Sequence, residues 1–104
     1  MILHCVFCNI DPDASRADLQ QVLTGLSNLC DNLDGALDFQ TGPNLDFEGK
    51  SPDHSDGFVI RFTDAAALNR YATDPRHKAL GAQLCTLCTG GGDGIIVYDL
   101  NIST

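Results

Sequence analysis

Leu19, Val22, Leu23, Leu26, Leu29, Cys30 and Leu33 recur at steps of three and four. Apolar residues at that spacing line one face of an α-helix, and no other segment of this chain is so strongly periodic. Asp13 or Ser15 can cap its start, and Ser15-Arg-Ala-Asp18 reads as a weak capping box. Gly35 fits its end. This helix follows a nearly continuous apolar run, Ile2 to Ile10, which is bounded by Asp11-Pro12-Asp13 and reads as a buried strand.

Beyond the helix, Leu37, Phe39 and Thr41 alternate with polar residues and predict a second strand. Gly42 to Asp56 is rich in Gly, Pro, Asn, Asp and Ser and reads as a loop. Phe58 to Thr63 is the third strand. Asp64 caps a short helix carrying Ala67, Leu68, Tyr71 and Ala72. Asp74-Pro75 stops that helix and starts another, with Asp74 as N-cap and Pro75 in the first position. The new helix carries Leu80, Leu84, Leu87 and Cys88 and ends at Gly90-Gly-Gly-Asp-Gly94. Ile95 to Leu100 is the fourth strand. The order β-α-β-β-α-β predicts an α+β, ferredoxin-like domain with a four-stranded antiparallel sheet. At 104 residues it is a single domain, 1–104.

Two helices cover only one face of a four-stranded sheet. Yet the flanking strands are apolar on both. Leu3, Cys5 and Phe7 oppose His4, Val6 and Cys8; Ile96, Tyr98 and Leu100 oppose Ile95 and Val97. A bare apolar face marks an interface, and a second copy packed sheet to sheet is the economical cover. A homodimer is therefore expected. The net charge of −8, from 6 Lys plus Arg against 14 Asp plus Glu, argues against nucleic acid and anionic membranes as partners. With no basic, apolar leader at Met1 to Cys8, the expected setting is cytoplasmic, and the five cysteines are expected to be reduced.

Two Cys-x-x-Cys pairs, Cys5/Cys8 and Cys85/Cys88, suggest zinc. On a strand, however, residues three apart point to opposite faces, so Cys5 and Cys8 do not chelate one ion without a turn. No structural metal is expected, and no cofactor is implied. The glycine run precedes a strand and lacks the following Lys-Ser/Thr of a phosphate loop, so it reads as a turn. Asp46, Glu48, Asp53, His54 and Asp56 could hold a hard cation weakly, but the EF-hand spacing is absent and a solvated loop is the simpler reading.

The more specific cluster is Tyr71-Ala-Thr-Asp-Pro75-Arg-His77. With Pro75 first in its helix, His77 is third, in step with Leu80, Leu84 and Cys88 on the inward face. Burial and the helix N-terminus both disfavour imidazolium, which leaves a neutral base near neutral pH. The Asp74-Pro75 corner can fold Tyr71 toward it. The competing reading is a core histidine bonded to a backbone carbonyl beside a core tyrosine. His4 shares a sheet face with Val6, and its simplest reading is a structural hydrogen bond.

His4-Cys-Val6-x-Cys, Gly42-Pro-Asn, Gly57-Phe-Val-Ile-Arg-Phe62, Leu68-Asn-Arg-Tyr71-Ala-Thr-Asp-Pro75-Arg-His77 and Val97-Tyr-Asp99 together resemble the Dabb family, the stress-responsive A/B barrel domains. The resemblance spans nearly the whole chain, and Tyr71, Pro75 and His77 are its most specific part. It implies a ferredoxin-like subunit whose sheets pair into a dimeric α/β barrel. Within that family the plant olivetolic acid cyclase type uses this Tyr and His in an aldol cyclisation. By resemblance, Tyr71 and His77 are the candidate catalytic pair. His4, Val6, Phe58, Ile60, Leu84 and Val97 are the candidate ligand pocket, for a small, largely apolar molecule. At the pocket end the chain departs from that type, with Cys88 and the glycine run where the cyclases carry bulky aromatics. The function expected is small-molecule binding with possible lyase or cyclase chemistry. The alternatives are a non-enzymatic, stress-associated or structural dimer and, last, a cofactor-free oxygenase of dimeric-barrel type.

Overall fold

The computed structural model describes residues 1–103. Its elements are β1 (Ile2–Cys8), α1 (Arg16–Asp31), β2 (Ala36–Pro43), β3 (Asp56–Phe62), α2 (Ala65–Thr73), α3 (Pro75–Thr86), a 3-10 turn over Gly91–Gly94 and β4 (Ile95–Asn101). The strands lie in the order β2-β3-β1-β4, all antiparallel. This is the expected ferredoxin-like sheet.

Each helix starts on a side-chain cap that satisfies a backbone N–H the helix itself leaves unpaired. Ser15 accepts from the Asp18 amide at 3.2 Å, Asp64 from Ala67 at 2.9 Å and Asp74 from Arg76 at 2.8 Å. Leu19, Val22, Leu23, Leu26, Leu29 and Cys30 of α1 are buried. They pack with Val6 and Cys8 of β1 and with Phe58, Ile60 and Phe62 of β3 in one core. Ala67 and Tyr71 of α2 and Leu84 of α3 complete that core.

Several boundaries differ from the sequence reading. The 42–56 segment is not all loop: Gly42 pairs with Gly57 and Pro43 with Asp56, so the strands extend at both ends. The alternation of β2 is broken by a bulge between Ala36 and Asp38. Leu37 is the extra residue there and stands 44% exposed, while Phe39 stacks on Phe58. A bulge leaves one residue without a partner in the ladder, and spacing within a single strand does not reveal it. α3 ends at Thr86, so Leu87 and Cys88 fall outside it. Cys88 instead forms an isolated bridge with Ile10, flanked by hydrogen bonds from Asp11 N–H to Leu87 C=O and from Thr89 N–H to Asn9 C=O.

Gly35 has φ of +86° after α1, and a Cβ there would lie 2.5 Å from that of Ala67. Glycine meets both the left-handed backbone and the close approach.

The sheet's other face is open. Phe7 and Tyr98 place their rings 6.2 Å apart there, and Ile96, Tyr98 and Leu100 are substantially exposed. Cys5 lies on this face and Cys8 on the helix face, as strand geometry requires. All five cysteines are free. Among the described residues no helix is long and apolar enough to cross a membrane.

Candidate functional site

Asp74 sits between two helices. Its backbone N–H closes α2 on the Tyr71 carbonyl, and its carboxylate opens α3. Extended geometry at Asp74, φ −66° and ψ 130°, turns the chain sharply before Pro75. The turn brings the last turn of α2 against the first turn of α3. The rings of Tyr71 and His77 consequently meet at 4.2 Å between centroids. Arg76 holds the Asp74 carboxylate with two side-chain bonds at 3.0 and 2.8 Å. These bonds, ahead of the Arg76 backbone N–H, hold its pKa down at about 2.

Tyr71 is 1% exposed and packs between Phe62, at 5.3 Å, and His4, at 5.8 Å. Burial raises its phenol pKa, so it is a neutral O–H across the physiological range. Its hydroxyl is buried with no hydrogen-bond partner among the described residues. A buried hydroxyl left unpaired costs on the order of 1–3 kcal/mol, and most such groups in folded proteins are satisfied.

Both imidazoles around it are oriented from the Nδ1 side. His4 Nδ1 lies 2.5 Å from Asp99 Oδ1, and His77 Nδ1 lies 3.2 Å from the Ala72 carbonyl oxygen. A carbonyl and a carboxylate accept, so in each ring Nδ1 carries a proton, and in a neutral His77 ring Nε2 presents a lone pair. His77 is partly buried. Desolvation is the leading cause of its lowered pKa, and the nearby His4 adds to it, while the Ala72 bond opposes both. His77 is therefore a neutral imidazole near pH 7, of the kind that accepts a proton.

Of the sequence-predicted residues, Tyr71, His77 and His4 come together in one cluster. Val6, Phe58, Ile60 and Leu84 are all buried, at 0–4% exposure, in the packed core beneath it. Val97 pairs with Val6 but is 48% exposed. β4 is an edge strand, and its helix-side face lies partly open along Val97 and Asp99. Asp99 and the partly buried His77 are the members of the cluster that reach solvent. Asp99 is the site residue that spacing alone did not supply. Its signal lay in the sheet: it has the same strand parity as Val97 and stands opposite His4 in the β1–β4 register. Among the described residues no group of three or more His, Cys, Asp or Glu side chains is placed to hold a metal ion.

The sequence profile of the Stress responsive A/B Barrel Domain matches residues 2–102. A dimeric ferredoxin-like protein of unknown function from Jannaschia is 37% identical, with a TM-score of 0.92 over 97% of this chain and 98% of its own. A hydroxynitrile lyase from Passiflora edulis is 15% identical, with a TM-score of 0.82 over 98% of this chain and 93% of its own. A cofactor-independent oxygenase from Streptomyces nogalater is 13% identical, with a TM-score of 0.77 over 99% and 93%. The last two likenesses are of fold alone. No protein of curated function matches the sequence.

Proposed function

The chain belongs to the stress responsive A/B barrel family, and from that premise we propose that it works as a homodimer that binds a small, largely apolar carbonyl compound and moves a proton on it. The observation that carries this reading is the unpartnered Tyr71 hydroxyl, on a buried ring packed against His4 and against His77, whose Nδ1 bond to the Ala72 carbonyl leaves Nε2 as the acceptor. A ligand oxygen seated there satisfies the hydroxyl. In this mechanism Tyr71 donates a hydrogen bond to the carbonyl oxygen. His77 Nε2 then takes a proton from the adjacent carbon, giving imidazolium and an enolate whose charge the Tyr71 O–H stabilises. The same proton returns to a leaving group or to a newly formed alkoxide, which gives lyase or cyclase outcomes. His4, oriented by Asp99, holds a second polar group of the ligand. Like the cofactor-independent oxygenase of similar fold, the protein would act without an organic cofactor.

The second reading is a non-enzymatic dimer, and the close packing of Val6, Phe58, Ile60 and Leu84 favours it. One experiment separates the two. Aryl methyl ketones such as acetophenone, incubated with the protein in deuterium oxide, should exchange methyl protons faster than in buffer, as followed by proton NMR. His77→Ala and Tyr71→Phe should abolish the excess. No exchange, together with no shift of the His4 or His77 ring resonances on titration with these ketones, would leave the structural dimer as the function. Oxygen uptake in the same mixtures tests the oxygenase variant.

A further inference from the structure

The least expected side chain on the surface is Phe47, which is 90% exposed, with Leu45 close by in sequence and 67% exposed. They belong to the loop between β2 and β3, and that loop is firmly built. Asn44 Nδ2 donates to the Ser51 carbonyl and hydroxyl and to the His54 carbonyl at 2.8–3.2 Å. Asp46 Oδ1 accepts from the amides of Lys50 and Ser51 and from the Ser51 hydroxyl at 2.9–3.0 Å. Asp46 adopts φ of +46°, a left-handed conformation that Asp tolerates better than most residues. The network fixes the hairpin that carries Phe47, so the ring is presented to solvent by a structured backbone.

The same loop overhangs the open face of the sheet. Between them lies a pocket of about 410 Å³, walled by Phe7, Ile96 and Tyr98 on the sheet and by Asn44, Lys50, Ser51 and His54 on the loop. The same loop thus carries a projecting aromatic ring and walls a partly apolar recess. In a twofold dimer the same patch meets itself, so a projection on one copy and a recess on the other are satisfied twice. The face is continuous with the apolar surface proposed to join the two sheets, and the 37% identical relative is a dimer.

We propose that the 44–55 loop is an interlocking arm of the dimer, with Phe47 of each protomer seated in its partner's recess between Phe7, Ile96 and Tyr98. The proposal rests on the sheet-to-sheet dimer reading and adds the element that fixes how the two copies register. A buried aromatic anchor in a recess is the usual form of an interface hot spot.

The chain has no tryptophan, so Phe47→Trp installs a single indole that can be excited apart from the two tyrosines. Its emission should be red at low protein concentration and shift to the blue as the dimer forms. Ile96→Ser in that background should reduce the blue shift. Phe47→Ser, measured by sedimentation, should raise the dimer dissociation constant about 100-fold, with the circular dichroism spectrum unchanged. Tyr98→Asp reports on the sheet face itself. If it splits the dimer while Phe47→Ser does not, the sheet-to-sheet reading stands and the arm is overturned. If neither change weakens the dimer, both fall. Red emission from Phe47→Trp at concentrations where the protein is fully dimeric also overturns the arm.

Discussion

Replacing Tyr71 by Phe deletes one oxygen atom from a residue that is 1% exposed and leaves the ring contacts to Phe62, His4 and His77 in place. In most cores such a change is destabilising, because a buried hydroxyl is normally hydrogen-bonded and its partner is left stranded. Here the hydroxyl has no partner among the described residues, so its loss strands nothing. The folded state is relieved of an unpaired group whose burial costs on the order of 1–3 kcal/mol. Taking the lower end of that range, about 1 kcal/mol of stabilisation corresponds to a rise in Tm of roughly 4–8 °C for a domain of this size. Differential scanning calorimetry of both proteins at equal chain concentration is the assay, since the stability of an oligomer would depend on concentration. The same variant should lose ketone binding and proton exchange. Stability gained and function lost together identify a hydroxyl kept for a ligand. A fall in Tm of similar size would refute the reasoning, because it would mean that the hydroxyl is paired in solution and serves the core.

Three further expectations rest on other groups. His77→Ala should leave Tm nearly intact under the ligand reading and lower dimer stability by roughly 1–3 kcal/mol under the structural one; an NMR titration should give His77 a pKa below about 6.5, and a value above 7 would remove it as the base. Its lowered pKa means that the unfolded chain binds the proton first, so its contribution to stability should decline as pH falls through about 6.5 and level off below the folded value. Asp56, buried and gripped by Arg16 at 3.0 and 3.1 Å, has its pKa lowered chiefly by those hydrogen bonds; the stability it contributes is present above about pH 4 and lost as pH falls through the lower folded value, so Arg16→Ala should raise the midpoint of acid unfolding. Burial pushes the Cys8 thiol up to about 12 and Cys30 to about 11, so neither should react with iodoacetamide at pH 8 until the protein unfolds, as mass spectrometry of the labelled peptides would record.

The parts of the fold legible in the sequence were those fixed by short-range rules. α1 shows itself because its six buried positions follow the helical step, and the corner at Asp74-Pro75 because a cap and a proline coincide. Leu87 and Cys88 continue the spacing of Leu80 and Leu84, but the chain leaves the helix after Thr86 so that Cys88 can bridge Ile10. That pairing is long-range, and periodicity carries no trace of it. The bulge at Leu37 is invisible for the same reason: it is a property of two strands in register. The candidate site divides along this line. Tyr71 and His77 could be placed near each other from seven residues of chain. Asp99 became a partner for His4 only once the β1–β4 register was known.

This division has a consequence for the order in which the cluster assembles. Tyr71 and His77 are joined through a single capped corner, and a short local segment is enough to bring their rings together. His4 and Asp99 are 95 positions apart, and their contact exists only after β4 has docked along the length of β1. Closing so large a loop is among the slower steps available to a small domain. During folding, one half of the cluster can therefore form early, while the other waits for the last strand. Any chemistry that needs both imidazoles would be withheld from partly folded chains and would report on completed topology.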